Sequence, residues 1–326
     1  MRILITGITG LLGSYLAKEF KGVGEIHGLR RGSSTPVLLG ELENQIHWHT
    51  GDITDYESLS SAFEGIDLVI HAAGLVSFSA RDSEKLLAVN TQGTANVVNV
   101  MLEKGIKRLA FISSVAALGR DAEIGVINET YKWATSDLNT PYAISKHMAE
   151  LEVWRGAQEG LEVMVFNPSI ILGKVSDNRS SSAIYQYVLQ ENAYYPAGSI
   201  NYIDIRDTVQ LIRSLIEKAS WNERYILNAA TVSYREFFGQ MAKVFQKKPP
   251  HKKLTVGILN LALIWTKIAN LFRKNPLPLN RQTALVAQLN LSFDNGKVQS
   301  ILKHNYIPLN ETLEWASRNE KNQQVV

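Results

Sequence analysis

Short apolar runs alternate with longer amphipathic segments through the first half of the chain. The apolar runs predict strands at 2–6, 25–30, 46–50, 67–73, 108–113 and 162–167. The segments between them have helical spacing and predict helices near 11–21, 55–64, 83–104 and 141–159. Thr54 and Glu57 form a candidate capping box for the second helix. Because runs of this kind are usually buried on both faces, the alternation predicts an α/β fold with a doubly wound parallel sheet, of the Rossmann type.

In a doubly wound sheet, ligands bind beyond the carboxyl ends of the strands. Small, polar or charged residues occupy those predicted ends, namely Gly7, Arg30, Asp52, Ala73, Ser114 and Asn167. We therefore expect the functional site at this edge of the sheet.

The pattern becomes looser after Pro168. It still predicts a strand and a helix over 202–218, a strand over 224–229, and helices over 233–245 and 254–272. We expect two domains: a Rossmann domain over 1–168 and a smaller, mostly helical substrate-binding lobe over 169–326. Part of 200–230 is expected to pack back on the first domain.

Composition narrows the class of protein. The chain has 326 residues, of which 45% are hydrophobic and 20% charged, enough for one large domain or two joined lobes. It has no cysteine, which excludes disulfides and thiolate chemistry, and its seven histidines lack the spacing of a metal site. A net charge of +3 is too small to indicate a nucleic-acid partner. Since no run of apolar residues is long enough to span a membrane, we expect a cytoplasmic protein.

A basic stretch without any Asp or Glu extends from Phe237 to Phe293. Within it, the segment 254–272 is mostly apolar and is flanked by lysines and arginines. This segment is interpreted either as a helix of the substrate lobe, in the core or over the pocket, or as a helix in peripheral contact with an anionic membrane surface.

The first predicted strand leads directly into Gly7, Gly10 and Gly13, and a helix follows. Glycine permits a tight turn and close approach of the backbone to a pyrophosphate. The N–H groups at the helix start can bind that anion. An ordinary strand-to-helix turn is the alternative. The residues expected to contact the phosphates are Gly7, Thr9, Gly10, Leu11, Leu12 and Gly13.

Two further segments carry candidate proton-transfer chemistry. Tyr142 and Lys146 are four residues apart, on one face of a predicted helix, so the ammonium could lower the phenol pKa from its usual value of about 10. Ser113 and Ser114 end a predicted strand, and because side chains alternate along a strand, only one can face a ligand. A surface pair and a strand-end cap are the ordinary alternatives.

The ordered motifs together resemble the extended short-chain dehydrogenase/reductases, the NAD-dependent epimerase/dehydratase superfamily. The resemblance is close up to about residue 170 and looser through Tyr202–Asp207 and Arg224–Asn228. The matching residues, in chain order, are Gly7, Gly10 and Gly13, Asp52–Ile53, His71–Gly74, Asn90, Gly93 and Thr94, Ser113–Ser114, Tyr142 and Lys146, and Asn167–Pro168.

The resemblance implies roles for these residues. Tyr142 would be the general acid/base, and Lys146 would hold the nicotinamide ribose hydroxyls and lower the tyrosine pKa. The family's active serine lies five residues before a glycine, here Gly119, which selects Ser114 over Ser113. Other cofactor contacts implied are Asp52 and Ile53 at the adenine, Ala72, Ala73 and Gly74 at the pyrophosphate and ribose, and Pro168, Ser169 and Ile170 at the carboxamide. Substrate contacts are expected from Val76, Ser114 and Asn167.

One departure from the family pattern bears on the cofactor. NAD-preferring members place an Asp after the second strand, whereas this chain has Arg30 and Arg31 there. An arginine fork can pair with a 2′-phosphate that a carboxylate would repel. We therefore expect NADP, with NAD as the alternative cofactor.

A second departure bears on the reaction. Family dehydratases carry an Asp-Glu pair after the active serine, but Val115 and Ala116 stand there in this chain. The mostly apolar segment 75–78 suits an apolar substrate better than a sugar. The chain is thus most similar to the dihydroflavonol-reductase-like and hydroxysteroid-dehydrogenase-like branch, which implies a hydride transfer between NADP(H) and a carbonyl or alcohol. An NAD-dependent sugar-nucleotide epimerase and a non-catalytic cofactor sensor are the alternatives.

The family also implies a homodimer. Its helices near 83–104 and 141–159 would pair across a two-fold axis. No metal is expected.

Overall fold

The computed structural model describes residues 1–121, 123–177, 182–255, 257–259 and 281–318. Its strands are β1 (Arg2–Thr6), β2 (Glu25–Arg30), β3 (His47–Thr50), β4 (Leu68–His71), β5 (Arg108–Ile112), β6 (Val126–Ile127), β7 (Glu162–Pro168), β8 (Ile170–Leu172), β9 (Tyr194–Tyr195), β10 (Ser199–Asp204), β11 (Glu223–Leu227), β12 (Ala230–Ser233), β13 (Lys252–Lys253) and β14 (Ser292–Phe293). Its helices are α1 (Leu11–Phe20), α2 (Tyr56–Ala62), α3 (Ser83–Leu86), α4 (Gly93–Lys104), α5 (Pro141–Gln158), α6 (Ser182–Leu189), α7 (Ile205–Lys218), α8 (Tyr234–Val244), α9 (Arg281–Val286), α10 (Gly296–Leu302) and α11 (Leu309–Ser317).

A seven-stranded parallel sheet in the order β11-β7-β5-β4-β1-β2-β3 forms the centre of the fold. Alternation along β1 shows why both faces are covered. Ile3 and Ile5 pack in one apolar cluster with residues of α1 and α7, and Leu4 packs in another with residues of α2, α4 and α5. The predicted doubly wound Rossmann fold is confirmed.

A three-stranded sheet, β12-β10-β8, begins the second half of the chain. Helices α6, α8 and α11 pack on it through a cluster that includes Tyr185, Phe237 and Leu313. Strand β11 pairs with β7 and so returns the chain to the central sheet.

Two local features differ from the sequence-based expectations. The predicted capping box of α2 is wrong: the helix begins after Asp55 without a side-chain cap, and Thr54 Oγ1 donates to Asp52 Oδ1 at 2.8 Å. The predicted helix over 83–104 contains a π-helical segment, Leu87–Gln92, between α3 and α4. π-helical turns often mark functional sites.

The predicted helix over 254–272 falls mostly outside the described residues. Residues 257–259 are helical, whereas 256 and 260–280 are not described. In the described ranges, no helix is both long and apolar enough to cross a membrane.

Candidate active site and cofactor groove

The turn between β1 and α1 requires glycine at two positions. Gly7 has φ +68°, and a Cβ there would lie 2.6 Å from the backbone nitrogen of Ala73. A Cβ on Gly13 would lie 2.2 Å from the carbonyl oxygen of Gly7. The Gly10 N–H donates to that same carbonyl at 2.9 Å. The turn is therefore as tight as the sequence predicts, and its surface is bare backbone.

The start of α1 has the properties of an anion site. The helix begins after Gly10 with neither a side-chain cap nor an acidic residue in its first turn. The first intrahelical bond runs from Ser14 N to Gly10 O at 3.0 Å. The N–H groups of Leu11, Leu12 and Gly13 precede it and lack intrahelical partners. These amides and the glycine surface fit the pyrophosphate of a dinucleotide.

A directional hydrogen-bond chain anchors the segment after β4. Thr94 Oγ1 donates to the Asn90 carbonyl at 2.6 Å, so it accepts from His71 Nε2 at 3.0 Å. His71 therefore accepts at Nδ1 from Thr6 Oγ1 (2.6 Å), and Thr6 Oγ1 accepts from the Ala73 N–H (3.2 Å). Burial lowers the pKa of His71 to about 3, which keeps it neutral. This series of hydrogen bonds fixes the backbone of Ala72, Ala73 and Gly74 next to the glycine turn.

Asn90, in the π-helical segment, ties the loop after β4 to α5. Its Oδ1 accepts from the Leu75 N–H at 2.7 Å, and its Nδ2 donates to Ser145 Oγ at 2.9 Å. Ser145 Oγ in turn donates to the Tyr142 carbonyl at 2.9 Å. The apolar loop that begins at Leu75 is thus held beside the helix that carries the candidate catalytic residues.

The predicted adenine contacts lie at the end of β3. Asp52 Oδ1 accepts from the Thr54 N–H at 2.9 Å, which orders the turn. The Ile53 carbonyl accepts from Asn96 Nδ2 at 2.9 Å. Ile53 also covers Gly93, where a Cβ would lie 2.7 Å from its Cδ1. Hydrogen bonds and packing contacts with neighbouring residues therefore fix the positions of both Asp52 and Ile53.

The two arginines after β2 differ in their surroundings. The Arg30 guanidinium lies 4.4 Å from the ring centroid of Trp48 and 3.8 Å from Glu43 Oε1. The Arg31 side chain is exposed and makes no ion pair with another described residue. Arg30 is therefore held in place by an aromatic ring, while Arg31 extends into solvent at the same strand end.

The two serines after β5 point in opposite directions, as strand alternation requires. Ser113 is buried and its hydroxyl donates to Glu150 Oε1 at 2.5 Å. The Ser114 hydroxyl is close enough to the Tyr142 phenol to lower its pKa, and Ser114 Oγ accepts from the Ala116 N–H at 3.2 Å. The structure thus brings Ser114, and not Ser113, to the phenol.

Helix α5 positions Tyr142 and Lys146. It begins with Pro141 after Thr140, whose Oγ1 accepts from the Ala143 N–H at 3.2 Å. A proline at the start and a threonine cap are favourable there. Lys146 is buried, and its Nζ donates to the Ile112 carbonyl at 2.7 Å. Burial lowers the pKa of Lys146 to about 8.

The structure does not show the predicted lowering of the tyrosine pKa by Lys146. Burial raises the pKa of Tyr142 above its ordinary value. The groups that oppose this rise are the Ser114 hydroxyl and the charge of Arg120. The ammonium of Lys146 is instead directed to a backbone carbonyl, beside Gly74, where a Cβ would lie 3.9 Å from its Nζ.

Glu150 is a buried residue next to the site that the sequence analysis did not identify. It follows Lys146 by one helical turn and is fully buried. Its carboxylate accepts from Ser113 Oγ, from Asn167 Nδ2 at 2.6 Å, and from the Arg224 guanidinium. Its negative charge raises the pKa of Lys146 against the effect of burial. The four-residue spacing from Lys146 was the available signal.

The structure is at odds with the predicted substrate contact of Asn167. Its side chain is 0% exposed, and Nδ2 donates both to Glu150 and to the Ser114 carbonyl, the latter at 2.9 Å. Asn167 therefore holds the strand end that presents Ser114, one layer below the groove.

Replacing Glu150 with glutamine should move the alkaline limit of activity to lower pH. The glutamine keeps the size of the side chain but removes the charge that raises the Lys146 pKa. Lys146 then loses its proton at lower pH, and the activity that needs the ammonium is lost earlier as pH rises. The pH profile of kcat/KM measures this, and Glu152→Gln, in the half-buried ion pair with Arg155, is the control. An unchanged limit in Glu150→Gln would show that Glu150 does not act through Lys146.

The remaining predicted residues lie in the loop after β4 and where β7 leads into β8. The Phe78 ring packs edge-on against the Tyr142 ring, with centroids 6.0 Å apart, and Val76 is exposed in the same loop. After Pro168, the Ser169 hydroxyl is buried without a hydrogen-bond partner among the described residues. A buried unpaired hydroxyl is costly, so it fits a polar ligand group such as a carboxamide.

Comparisons with known proteins agree with this geometry. The profile of the NAD dependent epimerase/dehydratase family matches residues 3–230. A dihydroflavonol 4-reductase-like protein of Synechocystis sp. is 28% identical over 287 residues, 85% of this chain and 82% of the relative. Cinnamoyl-CoA reductase 1 of Oryza sativa subsp. japonica is 28% identical over 268 residues, 77% of this chain and 78% of the relative.

A solved structure shows the same fold throughout. The crystal structure of gox2253 matches with a TM-score of 0.81 at 25% identity, over 96% of both chains. The resemblance expected from the motifs is confirmed, and the relatives are NAD(P)-dependent reductases, dehydratases and epimerases. The chain belongs to the NAD-dependent epimerase/dehydratase family, of the extended short-chain dehydrogenase/reductase type.

Proposed function

We propose that the protein is an NADP-dependent reductase that transfers a hydride between NADP(H) and the carbonyl or alcohol of a small, largely apolar substrate. The observation that carries this proposal is the Ser114 hydroxyl beside the Tyr142 phenol, at the carboxyl edge of the sheet. A phenol and a hydroxyl that lie next to each other can both reach one substrate oxygen.

The chain's residues fit the cofactor at several points. The amides at the start of α1 would hold the pyrophosphate, and the Lys146 ammonium beside Gly74 would hold the ribose hydroxyls. Asp52 and Ile53 would lie at the adenine. The Ser169 hydroxyl, flanked by Pro168 and Ile170, would bind the carboxamide. When bound, the reduced cofactor supplies the hydride.

Tyr142 would supply the proton. Its raised pKa keeps the phenol protonated near neutral pH, so it can protonate the forming alkoxide. Ser114 would donate a hydrogen bond to the same oxygen. The Arg120 charge, which lowers the pKa of Tyr142, would stabilise the phenolate that remains.

The apolar residues after Ser114 support reduction over dehydration. Val115 and Ala116 are buried, so neither position presents an acid to the groove. The exposed loop of Val76 and Phe78 offers an apolar wall next to Tyr142.

The arginines after β2 support NADP. Replacing Arg30 and Arg31 together with alanine should weaken NADPH binding about 10-fold or more, because charge-assisted bonds to the 2′-phosphate are lost. NADH affinity should change by less than about 2-fold, since NADH lacks that group. Fluorescence titration of both cofactors measures the difference. Equal weakening of both would contradict the 2′-phosphate role.

A turnover assay tests the function itself. The purified protein is given NADPH with a panel of aldehydes, ketones and oxosteroids, and NADPH absorbance is followed. We expect consumption of NADPH with at least one member of the panel. A tightly co-purifying oxidised cofactor, together with no net redox change on any member, would contradict the proposal and favour the epimerase alternative.

Exposed apolar side chains on α5 support the expected homodimer. Ile144, Met148 and Leu151 lie along one stripe of the helix and are 42%, 41% and 49% exposed. A second copy of the helix would cover them. The dimer and the cytoplasmic location remain predictions.

A further inference from the structure

Arg120 holds a fixed position at the substrate side of the candidate active site. It follows Gly119, which has φ +82° and where a Cβ would lie 3.1 Å from the Trp133 ring. The Arg120 N–H donates to Asn139 Oδ1 at 3.1 Å. This hydrogen bond fixes the backbone of the turn that presents the arginine.

Among the described residues, the guanidinium of Arg120 has no counter-charge. No carboxylate among the described residues lies within 4.0 Å of it. Two other half-buried arginines are paired, Arg206 with Asp204 and Arg224 with Glu150. Burial lowers the pKa of Arg120, which reflects the cost of a charge that has lost water without gaining an anion.

Two neutral phenols among the described residues interact with Arg120. It interacts electrostatically with Tyr142 and Tyr234. Burial raises the pKa of Tyr142, and raises that of Tyr234 to about 12, so neither is an anion near neutral pH. Tyr234 starts α8, behind Ser233, whose Oγ accepts from the Glu236 N–H. Arg120 therefore lies where the loop after β5 meets α5 and α8.

A cofactor phosphate is not placed to supply the missing anion. The glycine turn follows β1, which is separated from β5 by β4 in the sheet. Tyr142, by contrast, touches the reacting end of the substrate in the proposed mechanism. An anion beside Arg120 would therefore arrive with the substrate.

Resting on the proposed function, we propose that Arg120 binds an anionic oxygen group of the substrate, a carboxylate or a phosphate, within reach of the carbonyl that Tyr142 protonates. The planar guanidinium forms paired hydrogen bonds with either group. The substrate then combines an apolar body, lying on the loop of Val76 and Phe78, with one anionic group at Arg120.

Matched substrates test this inference on the NADPH-loaded protein. The probes are 4-formylbenzoate, 4-formylphenyl phosphate and the neutral methyl 4-formylbenzoate. We expect kcat/KM for one of the two anions to exceed that for the ester by about 10-fold to 100-fold, and the preferred anion identifies the group. In Arg120→Met this ratio should fall to about 1. Any effect of Arg120 on Tyr142 reduces anion and ester alike and cancels in the ratio.

Arg235→Met is the matched control. Arg235 is exposed and adjacent to Tyr234 in the sequence, so its loss removes a nearby positive charge without touching the proposed contact. The ratio should keep its wild-type value in this variant. A ratio near 1 in the wild type, or an equal fall in Arg235→Met, would overturn the inference.

Binding separates the inference from the proposed function. Calorimetry with the NADP-loaded protein compares benzoate and phenyl phosphate with neutral benzamide, in wild type and Arg120→Met. Anion-selective binding that Arg120→Met abolishes supports the inference even if no substrate is turned over, in which case only the proposed function fails. Equal binding of anions and benzamide overturns the inference even if the protein reduces other carbonyls.

Discussion

Replacing Tyr142 with phenylalanine should lower kcat for carbonyl reduction by about 10²-fold to 10⁴-fold, the usual contribution of a positioned acid. The phenol lies beside the Ser114 hydroxyl and keeps its proton near neutral pH because burial raises its pKa. Phenylalanine retains the ring that packs against Phe78 but has no proton to give. Steady-state kinetics on any substrate that consumes NADPH measures the loss.

The affinity for NADPH should stay within about 3-fold in Tyr142→Phe, since this substitution leaves the glycine turn and the start of α1 unchanged. Tyr56→Phe is the matched control, because Tyr56 is an exposed phenol that donates to Glu103 on the outer surface at 2.5 Å. It should keep wild-type kinetics. Full activity in Tyr142→Phe would refute the assignment of the proton donor.

The second large effect is expected at the glycine turn. Replacing Gly13 with alanine puts a Cβ 2.2 Å from the Gly7 carbonyl oxygen. Non-bonded carbon and oxygen atoms cannot approach so closely, so the turn or the start of α1 must move. The free energy of unfolding should fall by about 3 kcal/mol. Because the amides of the first turn no longer converge on one anion, NADPH affinity should fall about 100-fold. Urea denaturation and cofactor titration measure the two effects.

Gly239→Ala is the control for the glycine replacement. Gly239 lies in α8, and a Cβ there meets nothing within 4 Å. Alanine is the better helix former, so stability should rise by about 0.5–1 kcal/mol with cofactor affinity unchanged. If Gly13→Ala bound NADPH as tightly as the wild type, the glycine turn could not be the pyrophosphate site.

The central sheet could be predicted because its strands are local features of the sequence. In β1, every residue from Ile3 to Thr6 is buried, so the run is apolar on both faces and its length is visible directly. The glycine turn could also be predicted from the sequence. Its positive φ and its close backbone contacts exclude any side chain, so glycine must stand there whatever the rest of the chain does.

The direction of the two serines shows a limit of local inference. Alternation along β5 required Ser113 and Ser114 to diverge but did not say which one faces the groove. Ser113 donates to Glu150, 37 residues away, whereas the Ser114 hydroxyl lies beside Tyr142. Only the packing of α5 against the strand end decides between them, apart from the family resemblance.

Which charged groups lie near Tyr142 could not be predicted from the sequence, because it depends on the tertiary structure. The sequence assigned the cation that acts on the phenol to Lys146, because a four-residue helical spacing is visible. The cation that lowers the Tyr142 pKa is Arg120, from a loop more than twenty positions earlier, while Lys146 donates to the Ile112 carbonyl. Asn167 was likewise expected to contact the substrate, although it is completely buried and donates to Glu150 and to the Ser114 carbonyl.

Isotope transfer from the cofactor tests the central claim most directly. The protein is incubated with NADPH that carries two deuterium atoms at C4 and with the carbonyl panel, and the alcohol products are analysed by mass spectrometry and NMR. We expect one deuterium at the carbinol carbon of at least one product, in an amount equal to the oxidised cofactor formed, and none in Tyr142→Phe over the same time. Products without deuterium, or no product with any carbonyl of the panel, would contradict the assignment as a hydride-transferring reductase.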